Sequence, residues 1–433
     1  MEKQTLIVFS TGNSSRLDFI LQWLFKEIYA IDYRLVHNES ALTDLPFFIS
    51  YGKVFPNALS IPDAGLLRQR GINDQDINIG SWNDIPTIYA NNAQGYSLPF
   101  DLFSAIFFLL SRYEEYYSYR PDKHGRYPAK ESILYKNGWL QRPIVDEWVL
   151  ALKQLLQQKA TAIKNTDFEY QPTYDIDIAY SYLNKGKKRI QGAQLRDLLK
   201  GKISSVIERK QVLEGKLKDP YDSYDFITTA HNKTKPIYFI LAALNTTDYD
   251  KNILPDTMEM HRLIKRLQKT GPIYLHPSYY SNEGDTLRRE KHLMEVITGE
   301  TISSSRQHYI KLVFPATYKI LLANGINHDY SMGYGSHLGF RAGTGRSFYW
   351  YDLLNESVAD LRITPFCFMD TTAFFEEKLS VSEAFRALRY MTEKLKKTGS
   401  RLTTIFHNFS LGTEAQWAGW KDAYGHFLKE VQG

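Results

Sequence analysis

Cysteine is almost missing: Cys367 is the only one in 433 residues. One thiol cannot close an intramolecular disulfide or build a cysteine-based zinc cluster. Long hydrophobic runs are also missing. Leu6-Ile-Val-Phe9 is too short for the core of a signal peptide, and Ala105 to Leu110 is too short to span a bilayer. These absences predict a soluble, cytoplasmic protein without a transmembrane segment. No internal repeat or low-complexity tract is visible. The spacings of zinc-finger, RRM-type and KH-type modules are absent, so no nucleic-acid partner is expected.

The net charge is only +5, and it is not spread evenly. Residues 185–218 hold eleven basic and three acidic side chains, so that segment is +8 and the rest of the chain is −3. Such a run is a solvated helix face, or a contact for an anionic glycan or a peripheral membrane surface. What is plentiful is hydrophobic and aromatic residues, 43% and 14% of the chain, with 30 tyrosines. The chain can therefore bury a sizeable core, and its length suits two domains. Residues 1–165 read as a smaller α/β domain of unknown role. Residues 166–433 read as a larger unit with a basic insertion at about 185–220.

Thr5 to Phe9 has the pattern of a buried strand, and a helix follows from Leu17. The loop between them holds one glycine, Gly12, and fits neither a P-loop nor a dinucleotide fingerprint. Asp101 to Tyr119 is predicted as a helix, Asp122-Lys-His-Gly-Arg126 as a turn, and 157–169 as a linker. Beyond Tyr170 strands and helices alternate. Strands are expected at 169–177, 236–244, 272–276 and 402–407, with helices at 257–269 and after the capping box Ser380-Val-Ser-Glu383. Alternation of this kind predicts a mainly parallel α/β sheet or barrel.

Three of these strands end in chemically capable residues: Asp175 with Asp177, then His276, then His407. Side chains at i and i+2 on a strand point the same way, so the two aspartates can share one site. Two adjacent carboxylates repel unless a cation neutralises them. Histidine supplies a metal ligand or a proton donor. The glycine-rich stretch Gly339-Phe-Arg-Ala-Gly-Thr344 either presents Arg341 to a substrate or is a turn-rich connection with Arg341 paired to an acid. Tyr280 and its neighbour Tyr279 are candidate sugar-stacking faces.

From Tyr170 onward the chain resembles the polysaccharide deacetylases, the NodB-homology group of carbohydrate esterase family 4. Thr173-Tyr-Asp-Ile-Asp177 is similar to that family's first motif, and His276-Pro-Ser-Tyr-Tyr-Ser281 to the start of its second. Ser305-Arg-Gln-His-Tyr309, the stretch from Gly325, and Phe406-His-Asn408 follow in family order. The resemblance implies a distorted (β/α) barrel and a metal-dependent hydrolase that removes an N- or O-linked acetyl group from a saccharide. It implies Asp175 as general base, Arg306 as its orienting partner and His407 as general acid. It implies Asp177 and His276 as ligands of a divalent metal, zinc by donor type. The family's second ligand histidine would fall at Tyr280, and His308 is the residue placed to replace it. Tyr280, Tyr309, Asn408 and Arg341 are the expected substrate contacts. The competing readings are a catalytically degenerate barrel that binds glycan and a metal-independent amidohydrolase.

Overall fold

The structure is a computed structural model that describes residues 5–159, 163–231 and 233–432. Part of the expected 157–169 linker, and the side chains of Lys187 and Lys188, lie outside what is described. The N-terminal part carries strands β1 (Leu6–Ser10), β2 (Tyr33–Val36), β3 (Phe48–Tyr51) and β4 (Ala58–Ile61), all parallel, in the order β2-β1-β3-β4. A two-stranded antiparallel ribbon follows, β5 (Ile79–Trp82) and β6 (Ile85–Ile88). The larger sheet is built from β7 (Glu169–Ile176), β8 (Ile237–Leu241), β9 (Ile273–His276), β10 (Ser304–Ser305), β11 (His328–Met332), β12 (Phe348–Asp352), β13 (Ser357–Pro365), β14 (Phe368–Met369) and β15 (Arg401–His407).

Its order is β12-β13-β11-β10-β9-β8-β7-β15-β14, parallel throughout except for β12. Among the described residues no ladder joins the edges β12 and β14, so the sheet is a curled half-barrel rather than a closed barrel. Parallel pairing puts all C-terminal strand ends on one rim. The register sets His407 beside Asp175 and His276 beside Leu241. The helices that return the chain bury an apolar stripe on the sheet. Helix Met258–Gln268 buries Met260, Leu263, Ile264 and Leu267, and Thr257 caps its first turn. Helix Val381–Thr398 begins in the expected capping box and ends at Gly399 in a left-handed conformation. No described helix is long and apolar enough to cross a membrane.

The expected helix over 101–119 stops early. It runs Leu102–Leu110 and is buried on every side. Arg112 then turns left-handed at φ 54° and opens a short 3-10 turn, Tyr113–Tyr116. The reason is ionic. Buried Arg112 pairs with Glu114 and Glu115 at 2.8 Å each, and Glu115 also receives Arg341 at 2.5 Å. Regular helix geometry does not bring one guanidinium onto both neighbouring carboxylates.

One continuous core runs from the N-terminal part into the large sheet. Phe107 of the buried helix meets Tyr351 of β12 edge to face at 5.0 Å, and Tyr351 also touches Phe19. Buried Arg16 reaches Glu356 across the same seam, and the Trp23 indole N–H donates to the Ser347 carbonyl. One glycine after β11 is fixed by a close backbone approach: a Cβ on Gly339 would stand 2.3 Å from the Leu140 carbonyl oxygen, so only glycine fits there.

The Arg112–Glu115–Arg341 group is desolvated, so breaking it leaves uncompensated charge in the core. Glu115→Ala should cost about 3–5 kcal/mol of stability, read as a lower urea midpoint in circular dichroism. An unchanged midpoint would show that the triad contributes nothing.

Candidate metal centre and its pocket

Four expected residues meet at the rim of the large sheet. Asp177 lies just past the end of β7, and three imidazoles point at it. His276 Nε2 is 3.1 Å from Asp177 Oδ1, His308 Nε2 is 3.5 Å from Oδ2, and His407 Nε2 is 3.3 Å from Oδ2. Ligand atoms of Asp177, His276 and His308 all lie within 4.8 Å of one another. The chain's placement of His308 follows from Asp329. Its carboxylate binds the backbone N–H and hydroxyl of Ser331, and Ser331 Oγ accepts from the Gln307 N–H. That holds the 306–308 segment against β11.

Each ring has its outer nitrogen occupied. His276 Nδ1 sits 2.5 Å from the Arg306 carbonyl, His308 Nδ1 2.9 Å from Asp250, and His407 Nδ1 2.6 Å from Asp370. A carbonyl only accepts, so His276 Nδ1 carries a proton and the ring turns Nε2 toward Asp177 Oδ1. Asp177 Oδ1 is a buried oxygen with no geometrically adequate hydrogen bond of its own, and a cation between it and the imidazole nitrogens would satisfy it. The donor set, two imidazoles and a carboxylate, is the kind that suits zinc. These residues therefore fit a divalent ion.

The electrostatics agree. Burial alone would raise the Asp177 pKa, but His308, His407 and His276 hold it well below the usual carboxylate range. Burial opposes protonation of His308, yet Asp177 and Asp250 raise its pKa to about 9. His407 behaves alike: burial lowers its pKa, while Asp370 and Asp177 push it well above the ordinary imidazole value. The local field draws positive charge, as proton or as metal.

Asp175 is held separately. Its Oδ1 receives Arg306 Nη1 at 2.6 Å, and Arg306 also donates to Thr173 Oγ1 and to the Tyr330 carbonyl. The guanidinium is fully buried and lies 4.1 Å above the Phe239 ring. Asp175 Oδ2 is left 3.8 Å from His276 Nε2. Around these groups is a cavity of about 570 Å³. Tyr309 lines it, in a left-handed conformation at φ 58°.

Three expected substrate contacts are elsewhere. Arg341 is 1% exposed and bound bidentately by Glu115, so it belongs to the packing seam. Asn408 is buried, and its amide donates to the carbonyls of Ile178, Ala179 and Tyr221, which pins the loop after β7. Tyr280 is 41% exposed and outside the cavity lining. A tight turn at 278–281, closed by Ser281 N–H to the Ser278 carbonyl, carries it away from the imidazoles.

Other participants went unpredicted. Asp250 and Asp370 orient two of the rings. Ser410 Oγ also binds Asp370, whose second oxygen accepts the His407 N–H at 2.7 Å. The N-terminal part supplies Lys123, His124 and Arg126 to the cavity. Asp122 closes that turn on the N–H groups of His124 and Arg126, and Arg126 Nη1 donates to the Tyr309 carbonyl at 2.5 Å. Tyr249 stacks on Tyr279 at 3.9 Å. The turn at 122–126 was legible, but nothing local said where it points.

Residues 6–161 match a family of unknown function, DUF7033. The residues of the candidate metal centre lie outside that span. No curated protein matches the chain. Among solved structures it is similar to a protein assigned to the polysaccharide deacetylases from Mycobacterium smegmatis. That likeness has 14% identity and a TM-score of 0.38, and covers 62% of this chain and 85% of that one. A polysaccharide deacetylase of Bacillus cereus gives 11% identity and a TM-score of 0.27, over 62% and 89%. Likenesses at this level assign neither family nor activity.

Protein purified without chelator should carry about one equivalent of divalent metal, since the three donors describe one site with a position left open. Asp250→Asn should weaken metal binding about 10–100-fold by releasing the His308 ring, measured by competition with a chromogenic chelator. Unaltered affinity would remove Asp250 as an orienting group.

Proposed function

We propose that this protein is a metal-dependent hydrolase that removes an acetyl group, N- or O-linked, from a saccharide. One observation carries the reading: Asp175, fixed by Arg306, and His407, fixed by Asp370, both border the Asp177–His276–His308 cluster in one cavity. Acyl hydrolysis needs a base for water, an acid for the leaving group and a positive site for the developing oxyanion. The motif resemblance read from the sequence supports the saccharide assignment.

In this reading Asp177, His276 and His308 would hold the ion. When bound, a divalent ion would supply Lewis-acid polarisation of the acetyl carbonyl and a lower pKa for attacking water. Asp175 takes a proton from the attacking water on Oδ2, because Oδ1 is engaged by Arg306. The water oxygen forms a bond to the acetyl carbon. His407 enters the reaction protonated, as the carboxylates around it favour. Its Nε2 gives a proton to the leaving amide nitrogen or ester alkoxy oxygen as that atom's bond to the acetyl carbon breaks. Asp370 keeps the proton on His407 Nδ1 and the ring in place. The products are acetate and the free amine or hydroxyl. Arg306 is a positioning residue. The tyrosines at the cavity edge, Tyr309 and Tyr249, offer ring faces to a sugar. The division of the chain at about residue 165 remains part of the proposal, with the N-terminal part completing the cavity wall through 122–126.

Asp175→Asn should lower acetate release from acetylated chito-oligosaccharides by at least about a hundredfold while the circular dichroism spectrum stays unchanged. His407→Gln should do the same, and chelator treatment should abolish release until metal is restored. Full turnover by Asp175→Asn would remove it as the base, and chelator-insensitive release would favour a metal-free amidohydrolase.

A further inference from the structure

Beside the metal pocket lies a second cavity of about 540 Å³. The two have Ile178 and Lys251 in common in their walls. The outer wall is a hairpin of two helices, Lys187–Leu199 and Ile203–Leu213, inside the basic segment. Lys185, Arg189, Arg196, Lys202, Arg209 and Lys251 line the cavity, against two acids, Asp197 and Glu414. Asp197 is already taken by Arg209 Nη2.

Arg209 is 5% exposed, and its Nη1 has no hydrogen-bond partner among the described residues. Arg189 reaches only neutral acceptors, the carbonyls of Lys251 and Asn252. Lys185 makes no hydrogen bond or ion pair with a described residue. Burial and the nearby Arg189 lower its pKa to about 8, with Asp219 only partly opposing. Arg209 is buried and Lys185 and Arg189 are half-buried, so their mutual repulsion is only partly screened by water and an anion joining them relieves it. Arginine and lysine side chains drawn from both helices and from the loop at Lys251 match a tetrahedral oxyanion with several oxygens better than a single planar carboxylate.

We propose that this cavity is a subsite for a phosphate or diphosphate group borne by the saccharide whose acetyl group enters the metal pocket. The saccharide part rests on the deacetylase reading, whereas the anion site stands on its own lining. Two sources share this chemistry: a soluble phosphorylated sugar and a lipid-linked one. Exposed Leu195, Leu198, Leu199 and Ile203 lie on the same hairpin.

The probe is inorganic pyrophosphate, titrated calorimetrically into the full-length Asp177→Asn protein, so that binding at the metal centre does not contribute. Binding should be present there, and should fall at least about tenfold when Lys185→Gln and Arg196→Gln are added. Neither side chain has an ion partner among the described residues, so the pair should fold normally. Undiminished affinity in that variant, or no binding in Asp177→Asn, would overturn the subsite. Co-sedimentation with phosphatidylglycerol-containing vesicles, lost with the same pair, would support a lipid-linked source. Pyrophosphate binding without co-sedimentation would support the soluble one. Pyrophosphate binding requires no turnover, so a protein that never releases acetate leaves this result intact.

Discussion

The Asp177 carboxylate sits among three imidazoles, and each imidazole is fixed from behind. That constraint organises the rim of the large sheet. Asp250 backs His308, Asp370 backs His407, and a main-chain carbonyl backs His276. The two rings backed by carboxylates are pushed toward the charged form, and Asp177 is held ionised in return. The rings are therefore held in place, and the cluster is electrostatically primed for positive charge. Such preorganisation limits how much rearrangement the binding of a cation requires.

The backing groups also divide the labour. His276 and His308 pair with Asp177 in one closed triangle of donors, whereas His407 stands across from them with its own network of Asp370 and Ser410. Arg306 performs a similar service for Asp175. It is buried against Phe239 and holds one carboxylate oxygen, so the other is turned to the cavity. One short segment, 305–309, supplies the carbonyl behind His276, the guanidinium behind Asp175, a ring of the cluster and a wall tyrosine. The Asp329–Ser331 brace beneath that segment matters for the same reason.

The legible part of this site was the part written on strand ends. Apolar runs that stop at Asp175, Asp177, His276 and His407 name both the strand and its terminal chemistry, because parallel strands deliver their ends to one rim. His308 was found through its motif loop. Asp250 and Asp370 were not found, since each sits in irregular chain far in sequence from the ring it orients. Arg341 and Asn408 show the opposite failure. Their residue types suited substrate contact, but burial against Glu115 and against three carbonyls is decided by long-range packing. The early end of the helix at Leu110 has the same origin, as Arg112 answers to Glu115 and thereby to Arg341. Closure of the sheet was not legible either: strand count and alternation are alike in an open half-barrel and a closed barrel.

The seam between the N-terminal part and β12 bears on biosynthesis. Ser15 bonds Tyr351, which lies 336 residues later in the chain. At about 5–20 residues per second, a ribosome needs roughly 20–70 s to deliver that partner. Until that partner arrives Phe19, and Phe107 once it is made, lack the aromatic face that covers them in the finished fold, and Arg16 lacks Glu356. The nascent N-terminal part thus presents an apolar, incompletely neutralised surface until β12 and the turn after it have been made.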